Sequence, residues 1–372
     1  MNKASCLLLS FILIQGCADK NSEFSGFFCN PENNTIDITV DSLKLECIRP
    51  IIPGCSYIGY SGIFENSLFF ADALFSTLFQ FDRNGEYINA VIRNGNGPHE
   101  IPVNRIEAYY VSNEGHHFFL DSSTNLFEFD KDFTLVNQLL YYWGAKIKKG
   151  DLFEQTDSYT TSWGDNVNLI VHDGIMYTNI YGDTDEFNIT YPNYYKTARI
   201  IEPRDVKTGQ PLPLLGRISP AVGYMTAFQN DFFEITDMGD FVVTYEVDDL
   251  IYVYDSRYRL KFSFGQPGKN MNRDYKELSV QSFRKDLIQE QETRGRYTSL
   301  DIAGDYIFRT YVTGKPNNET RLQIYDQTTL IGDIQVPAGF KVLGYISPYY
   351  YSAFICDADR DNIEIYRFQL LL

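Results

Sequence analysis

The sequence is short of basic residues, and this shortage excludes one class of partner. Its 372 residues include 32 lysines and arginines against 49 aspartates and glutamates, which gives a formal net charge of −17. Binding to the phosphates of nucleic acid requires a basic surface. We therefore expect no nucleic-acid partner.

Motifs for metal, cofactor and catalytic chemistry are also scarce. The chain has no P-loop, no His-Glu-x-x-His and no Gly-x-Ser-x-Gly elbow, and its six cysteines include no Cys-x-x-Cys pair. Two of its four histidines, His116 and His117, are neighbours in a predicted strand and so point to opposite faces. We expect no metal, no cofactor and no assignable catalytic residue, and a non-enzymatic role is favoured over an enzymatic one.

Aromatic residues, in contrast, are abundant. The chain contains 28 tyrosines and 28 phenylalanines, and 44% of its residues are hydrophobic. Tyrosine and phenylalanine favour strands, and a chain of this length buries about three quarters of its unfolded surface. The composition predicts an all-β protein with a substantial core.

The first 16 residues are typical of a bacterial secretion signal. Lys3 precedes an apolar stretch over residues 6–14, which is too short to span a bilayer. The stretch leads into Ile14-Gln15-Gly16-Cys17, which resembles the lipobox, whose cysteine is lipidated and becomes the new N-terminus. We interpret residues 17–35 as the tether that follows this anchor. The alternative is a buried N-terminal helix with an incidental cysteine.

This signal predicts an exported protein that lipid on Cys17 holds at the cell envelope, on the periplasmic or surface face of the outer membrane. No later run approaches the roughly 18 apolar residues of a membrane span, so we expect membrane contact through the anchor alone. An exported protein can keep disulfides. The sequence selects no pairing among the four remaining cysteines, which are Cys29, Cys47, Cys55 and Cys356.

A repeated unit organises the rest of the chain. Each copy has an apolar strand, a short polar turn, a strand of the form aromatic-x-aromatic-Asp, and a further strand. In the two clearest copies Asp82 and Asp130 lie 48 residues apart, and Asp72 and Asp121 lie 49 apart. Less regular copies occur near residues 175–201, 241–264, 306–334 and 352–366. Six copies of this length are typical of four-stranded β-propeller blades, and we interpret the aspartates after the third strands as turn residues.

The sequence therefore predicts an all-β fold, a six-bladed β-propeller of four-stranded antiparallel blades, as one domain over residues 36–372. The last copy ends after its third strand, so an N-terminal strand, from residues 36–40 or 43–47, is expected to close the last blade. A charge-rich insertion before the fifth copy has apolar residues at helical spacing and predicts a short helix near 274–291. This helix would be a lid, a docking element or a packed surface helix.

Two neighbouring motifs carry a resemblance to a known family. Phe79-Gln80-Phe81-Asp82-Arg83-Asn84-Gly85, followed by Gly95-Asn96-Gly97-Pro98-His99-Glu100, resembles the signature of the six-bladed β-propeller lipoproteins of Bacteroidota. Those chains carry an FD-x-x-G turn and then G-x-G-P-G-E, and His99 takes the place of the third glycine here. The resemblance implies an exported, NHL-like propeller and implies no established activity.

The predicted strands place several polar groups in loops on one face of the ring. Propellers usually bind ligands on the face formed by the loops after the outer strands and between the second and third strands. The candidate ligand-binding residues in such loops are Asp72, Arg93, His99, Glu100 and Asp121. We interpret Gly95, Gly97 and Pro98 as structural, because they supply unusual dihedral angles and a fixed turn. An ordinary hydrogen-bonded crossover is the competing interpretation of this loop, and residues 143–165 form a second candidate loop.

Two functions from different classes remain open. The first is a lipid-anchored binding or scaffold module for an envelope glycan, peptide or protein. The second is an envelope hydrolase or lyase that acts on a polysaccharide or peptide through carboxylates or His99 in the central funnel. A convergent cluster of buried side chains with shifted pKa values would favour the enzyme, and a flat aromatic or acidic face would favour binding.

The anchor can be tested directly. We predict that Cys17→Ala leaves the protein unlipidated and moves it from the membrane to the soluble envelope fraction, because no other segment holds it there. Fractionation after a salt wash measures this, and a variant that still sediments with membranes like the wild type contradicts the lipobox interpretation.

Overall fold

The computed structural model describes residues 26–32, 34–140, 154–161, 168–224, 227–278 and 283–370. Two short strands, β1 (Ile36–Val40) and β2 (Glu46–Ile48), come first in the chain. The strands form six sheets, which are the six blades of a β-propeller. The predicted all-β fold is confirmed, and the strands of each sequence copy lie within one sheet.

Blades 1 to 3 follow one another along the first half of the chain. Blade 1 contains β3 (Gly59–Phe64), β4 (Ser67–Asp72), β5 (Thr77–Asp82), β6 (Tyr87–Asn94) and β7 (Glu100–Ile101). Blade 2 contains β8 (Ile106–Val111), β9 (His117–Asp121), β10 (Leu126–Phe129) and β11 (Leu135–Leu139). Blade 3 contains β12 (Tyr159–Thr161), β13 (Leu169–His172), β14 (Ile175–Thr184), β15 (Phe187–Asn188) and β16 (Ile201–Asp205), with a 3-10 turn (Thr156–Ser158) and the short helix α1 (Pro192–Thr197).

Blades 4 to 6 complete the ring. Blade 4 contains β17 (Asp231–Ile235), β18 (Phe241–Tyr245), β19 (Ile251–Tyr254) and β20 (Leu260–Phe264), and the helix α2 (Phe283–Thr293) follows it. Blade 5 contains β21 (Arg294–Ala303), β22 (Tyr306–Gly314), β23 (Thr320–Asp326) and β24 (Thr329–Val336). Blade 6 contains β25 (Val342–Ile346), β26 (Tyr349–Ser352), β27 (Ile355–Asp357) and β28 (Asn362–Phe368).

The first strands of the blades close the ring at its centre. They contact one another in the order β3, β8, β13, β17, β21, β25 and back to β3. In the described part of the chain, an apolar cluster fills each seam between neighbouring blades. Alternate side chains of each strand point into the seam on either side, so the core consists of six shared layers and every blade contributes to two of them.

Aspartates shape the turns that leave the third strands. The carboxylate of Asp82 accepts hydrogen bonds from the backbone N–H groups two and four residues ahead, at 2.8 and 2.9 Å. Asp130 and Asp255 repeat this pattern in blades 2 and 4. A short acidic side chain that bonds to the backbone ahead of it stabilises a tight turn, which confirms the structural interpretation of these aspartates.

The predicted closure of the last blade is confirmed, and one strand, β2, makes it. β2 pairs antiparallel with β28, so that Cys47 lies opposite Tyr366 and Glu46 forms an ion pair with Arg367 at 2.8 Å. β1, the other candidate for this role, instead pairs in parallel with β24 and adds a fifth strand to blade 5. The two N-terminal strands therefore cover the edges of different blades.

The segment before β1 also lies against the ring. Tyr254 Oη donates a hydrogen bond to the carbonyl of Phe27 at 2.6 Å, and Glu32 N donates to the carbonyl of Ser263 at 2.8 Å. Residues 27–32 and 34–48, which we call the N-terminal belt, thus run along blade 4, then blade 5, then blade 6. Part of the segment that the sequence assigned to the tether makes these contacts.

The predicted helical insertion is present as α2, which covers the second half of the expected range. Leu287 is half-buried against the segment at Ala227 and Phe228, whereas Ile288 is 59% exposed. Among the described residues, Cys47 and Cys55 form no disulfide. In the described ranges, no helix has the length and apolar character needed to cross a membrane.

The belt's contribution to stability can be measured at two positions of β1. Val40 is 5% exposed and packs into the seam between blades 5 and 6, whereas Ile38 is 48% exposed. We expect Val40→Ala to lower the free energy of unfolding by about 2 kcal/mol, because it removes buried apolar surface and leaves a cavity. Ile38→Ala is the matched control, with a change below about 0.5 kcal/mol. Equal effects in urea unfolding would show that β1 does not seal this seam.

Candidate functional site

The glycine-rich loop of blade 1 is held by its own glutamate. Glu100 Oε2 accepts a hydrogen bond from Gly97 N at 2.7 Å, and a Cβ on Gly95 would lie 2.1 Å from the same oxygen. Gly95 also has a φ of 153°, in the region that favours glycine. The Pro98 carbonyl accepts from Leu135 N of blade 2 at 3.0 Å. The motif therefore holds its own loop in place and attaches that loop to blade 2.

His99 and Arg93 are exposed on the same loop. His99 Nδ1 lies 2.8 Å from the carbonyl of Phe133, in the turn that leaves β10, and Arg93 N donates to the carbonyl of His99. Asp121 lies in the turn that enters β10. His99 and Asp121 are therefore at opposite ends of that strand, and the structure does not bring them together.

The two candidate aspartates act in their own turns. Asp72 is fully buried, and its carboxylate accepts four hydrogen bonds, from the N–H and hydroxyl of Ser56 and from the N–H groups of Leu74 and Phe75. Asp121 accepts from the backbone N–H groups of Ser123 and Asn125 at 2.8 Å. Through these hydrogen bonds the two carboxylates fix the turns that lead into the third strands of blades 1 and 2.

The second candidate loop lies mostly outside the described residues, including Trp143 and Trp163. Tyr159 of this stretch is 3% exposed, and its hydroxyl accepts a hydrogen bond from Arg199 N at 2.9 Å. Its ring packs edge-on against Phe187 within blade 3. Tyr159 is therefore a core residue.

A cavity of about 260 Å³ lies between blades 3 and 4. Blade 3 supplies an apolar wall that includes Ile180, Ile200 and Tyr194 of α1. Asn230 and Asp231, at the start of β17, supply a polar end, and Leu287 and Gln291 of α2 also line it. The insertion that contains α2 was expected to be a lid, a docking element or a packed surface helix, whereas the polar residues of this cavity carried no sequence signal.

The helix α2 is fastened beside the cavity by polar contacts at its C-terminal end. Arg296 Nη1 donates a hydrogen bond to the carbonyl of Gln291 at 2.7 Å, and Arg294 forms an ion pair with the buried Glu290 at 3.1 Å. Leu287 packs against the cluster of Ala227 and Phe228. The helix is thus both a packed surface element and part of the cavity wall.

Asp231 is the charged group that reaches the cavity. Its side chain is 4% exposed, and Oδ2 has no hydrogen-bond partner among the described residues. Burial raises the pKa of this carboxyl well above its usual value, and the nearby carboxylate of Glu246 raises it further. A buried carboxyl with an unused oxygen is uncommon, because an unmet hydrogen-bonding group costs free energy.

Glu246 lies at the end of β18, behind the cavity wall. Its Oε2 accepts a hydrogen bond from Asn230 N at 2.9 Å, and its Oε1 lies 3.7 Å from Arg296 Nε. Burial raises the pKa of Glu246 to about 7. Its carboxylate holds the backbone that leads into Asp231, and Glu246 does not itself line the cavity.

Metal chemistry finds no support in these groups. Within the ranges that the structure describes, no group of three or more His, Cys, Asp or Glu side chains could hold a metal ion. The expectation of no metal remains a prediction for the whole chain.

Comparison with known proteins supports the fold. No family model and no curated sequence matches the chain. A solved structure of a DUF4221 family member from Bacteroides vulgatus is similar, with a TM-score of 0.64 and 12% identity over 91% of this chain and 99% of the other. A candidate exported protein of Bacteroides fragilis is also similar, with a TM-score of 0.54 and 13% identity over 91% and 99% of the two chains.

A virginiamycin B lyase from Staphylococcus aureus resembles the chain more distantly. Its TM-score is 0.46 at 10% identity, over 89% of this chain and 100% of the lyase. Likeness at these identities concerns the architecture alone. The chain is thus a six-bladed β-propeller with structural neighbours from Bacteroides.

The buried glutamate behind the cavity predicts a pH dependence of stability. The folded state retains a proton on Glu246 up to about pH 7, whereas the unfolded chain loses it near the usual value of 4.5. The free energy of unfolding should therefore fall as pH rises through this window, by up to about 3 kcal/mol from this group. Glu246→Gln should flatten this part of the profile in urea unfolding. Parallel profiles of the two proteins between pH 4.5 and 7 would contradict the assignment.

Proposed function

We propose that this protein is an exported binding module, lipid-anchored through Cys17, that takes part of a ligand into the cavity between blades 3 and 4. The observation that carries this proposal is the cavity itself, with its apolar wall, its polar end and α2 at its side. Ligand sites in proteins are typically concave and mostly apolar, with a few polar groups that fix orientation.

The volume of the cavity limits the size of the group that it can hold. Its volume of about 260 Å³ lies below the roughly 300–1,000 Å³ of pockets that enclose drug-sized molecules. The occupant is therefore a small molecule, or one side chain or terminal unit of a larger envelope glycan, peptide or protein. The loops of blades 3 and 4 would contact the remainder of such a partner.

Binding is favoured over catalysis by the number of acid groups that reach the cavity. Two carboxyl groups near the cavity, Asp231 and Glu246, have raised pKa values, and such a pair favours the hydrolase or lyase alternative. Only Asp231 lines the cavity, however, while Glu246 is engaged by Asn230 N and Arg296. Acid–base chemistry with two carboxyl groups requires both to face the substrate.

The alternative has its own test. Envelope polysaccharide and peptide mixtures would be incubated with the wild type and with Asp231→Asn, and products followed by mass spectrometry. Products that accumulate with time in the wild type alone would replace the binding module by the enzyme. Absence of turnover together with saturable binding supports the module.

Two neighbouring positions of α2 test whether the cavity is the ligand site. Leu287 lines the cavity, and Ile288, the next residue, is 59% exposed. We expect Leu287→Trp to fill the cavity and abolish binding of 2-phenylethanol, a probe with an apolar ring and one hydroxyl. Ile288→Trp is the matched control and should bind like the wild type. Saturation-transfer NMR measures both.

The outcome separates the cavity from other surfaces. Equal signals from the wild type and both variants would place the probe elsewhere and contradict the proposal. The absence of a signal from the wild type at millimolar probe would do the same. Melting temperatures of the two variants, measured alongside, report whether α2 remains packed.

A further inference from the structure

Two other buried charged groups have their hydrogen bonds met, and Asp231 differs from both. Arg309, fully buried between blades 4 and 5, donates to Gln323 Oε1 and to the carbonyls of Asp249 and Gln266, at 2.7–3.0 Å. Glu202 is buried with Arg204, and the shortest contact of their ion pair is 2.8 Å. Oδ2 of Asp231 has no such partner in the part of the chain that the structure describes.

The groups that face Asp231 do not supply the missing positive charge. Glu246, which follows β18, is a second acid group, and the aromatic neighbours are Tyr194 of α1, Tyr245 of β18 and Tyr258 beyond β19. Arg296 contacts Glu246 and the Gln291 carbonyl. Arg199 directs its two Nη atoms to Glu154 and the Gly216 carbonyl, while its Nε has no partner among the described residues.

We propose that the cavity selects ligands that carry a primary ammonium group, which donates a hydrogen bond to Asp231 Oδ2 while an apolar body lies against Ile180 and Ile200. This inference rests on the proposed function and adds the chemical class of the ligand. A free amino terminus, a lysine-like side chain and an amino sugar share this chemistry.

An ammonium group supplies what the site lacks. It has three donors and a full positive charge, so it satisfies the unused oxygen and compensates the carboxylate, and charge-assisted hydrogen bonds of this kind are the strong ones. A hydroxyl offers one donor and no charge. A ligand carboxylate would instead add a third acid group beside Asp231 and Glu246, and the net charge of −17 adds to the preference for a cation.

The proposal predicts that the affinity for an amine depends on pH, because binding releases a proton. In the free protein, burial keeps a proton on Asp231, and an entering ammonium displaces that proton to solvent as the ion pair forms. Affinity for an amine should therefore rise with pH from 6 to 8.5, below the ammonium's own pKa of about 10. Glu246 ionises near pH 7, and its negative charge also strengthens amine binding as the pH rises. Burial raises the pKa values of Tyr194, Tyr245 and Tyr258, so these three side chains stay neutral over the whole range.

The test compares phenethylamine, 2-phenylethanol and 3-phenylpropanoate, which share a ring and differ in the polar group. With the full-length protein, we expect phenethylamine to bind at least about tenfold more tightly than the alcohol at pH 8, and the carboxylate not to bind. Asp231→Asn should remove the preference for the amine and its pH dependence while alcohol binding persists, which shows that the cavity is intact. Asp301→Asn is the control, because burial also raises the pKa of Asp301, to about 7, and this residue does not line the cavity.

The results separate the two proposals. Equal affinity of the amine and the alcohol, with both lost in Leu287→Trp, overturns the ammonium preference and leaves the cavity as the ligand site. An alcohol affinity that falls with rising pH and depends on Asp231 also overturns it, since the carboxyl would then act as a hydrogen-bond donor. The absence of binding by all three probes contradicts the proposed function itself.

Discussion

The pairing of β2 with β28 is the contact on which the rest of the ring depends. Each seam is filled by side chains from two blades, so a blade without a complete neighbour exposes its half of an apolar cluster. Blade 6 takes only three of its four strand positions from the C-terminal part of the chain, and β2 provides the outer one. The seam between blades 6 and 1 includes the hydrogen bond from Phe354 N to Ser61 Oγ at 2.8 Å, and it joins segments that lie 293 positions apart. Closure at this seam covers the apolar faces of blades 6 and 1 that an open ring would expose.

The candidate site lies where the ring departs from its repeat. Blade 3 has α1 and β15 between its second and third long strands, and isolated bridges at Ile201–Leu215 and Arg204–Pro211 take the place of a regular outer strand. The insertion after blade 4 then brings α2 beside the start of β17. A regular blade presents alternating side chains that interdigitate with its neighbour and leave little space. These irregular segments instead surround a cavity and remove Asp231 from water.

Periodic features of the molecule could be predicted from the sequence, because each depends on residues close together in the chain. The alternation in Leu78-Phe79-Gln80-Phe81, the aspartate after it and the recurrence of both predicted the strands, the turns and the number of blades. Asp231 carried no such signal, since the groups that define its surroundings, Tyr194, Glu246 and Leu287, come from three separate segments. The glycine motif of blade 1 was conspicuous for another reason. Its spacing reflects the contact of Glu100 with Gly95 and Gly97, a requirement of that loop itself.

The N-terminal belt also has a consequence for the order in which the molecule is made. Glu46 and Arg367 are 321 positions apart, so the ribosome finishes one more than three hundred residues before the other. During synthesis β1 and β2 lack the strands that they cover in the finished protein, while sheets formed from neighbouring segments can assemble as they emerge. A chain interrupted before residue 362 has every strand of blades 1 to 5 and still cannot become a ring. The strand β28 therefore decides whether β2, which is made about three hundred residues earlier, finds its partner.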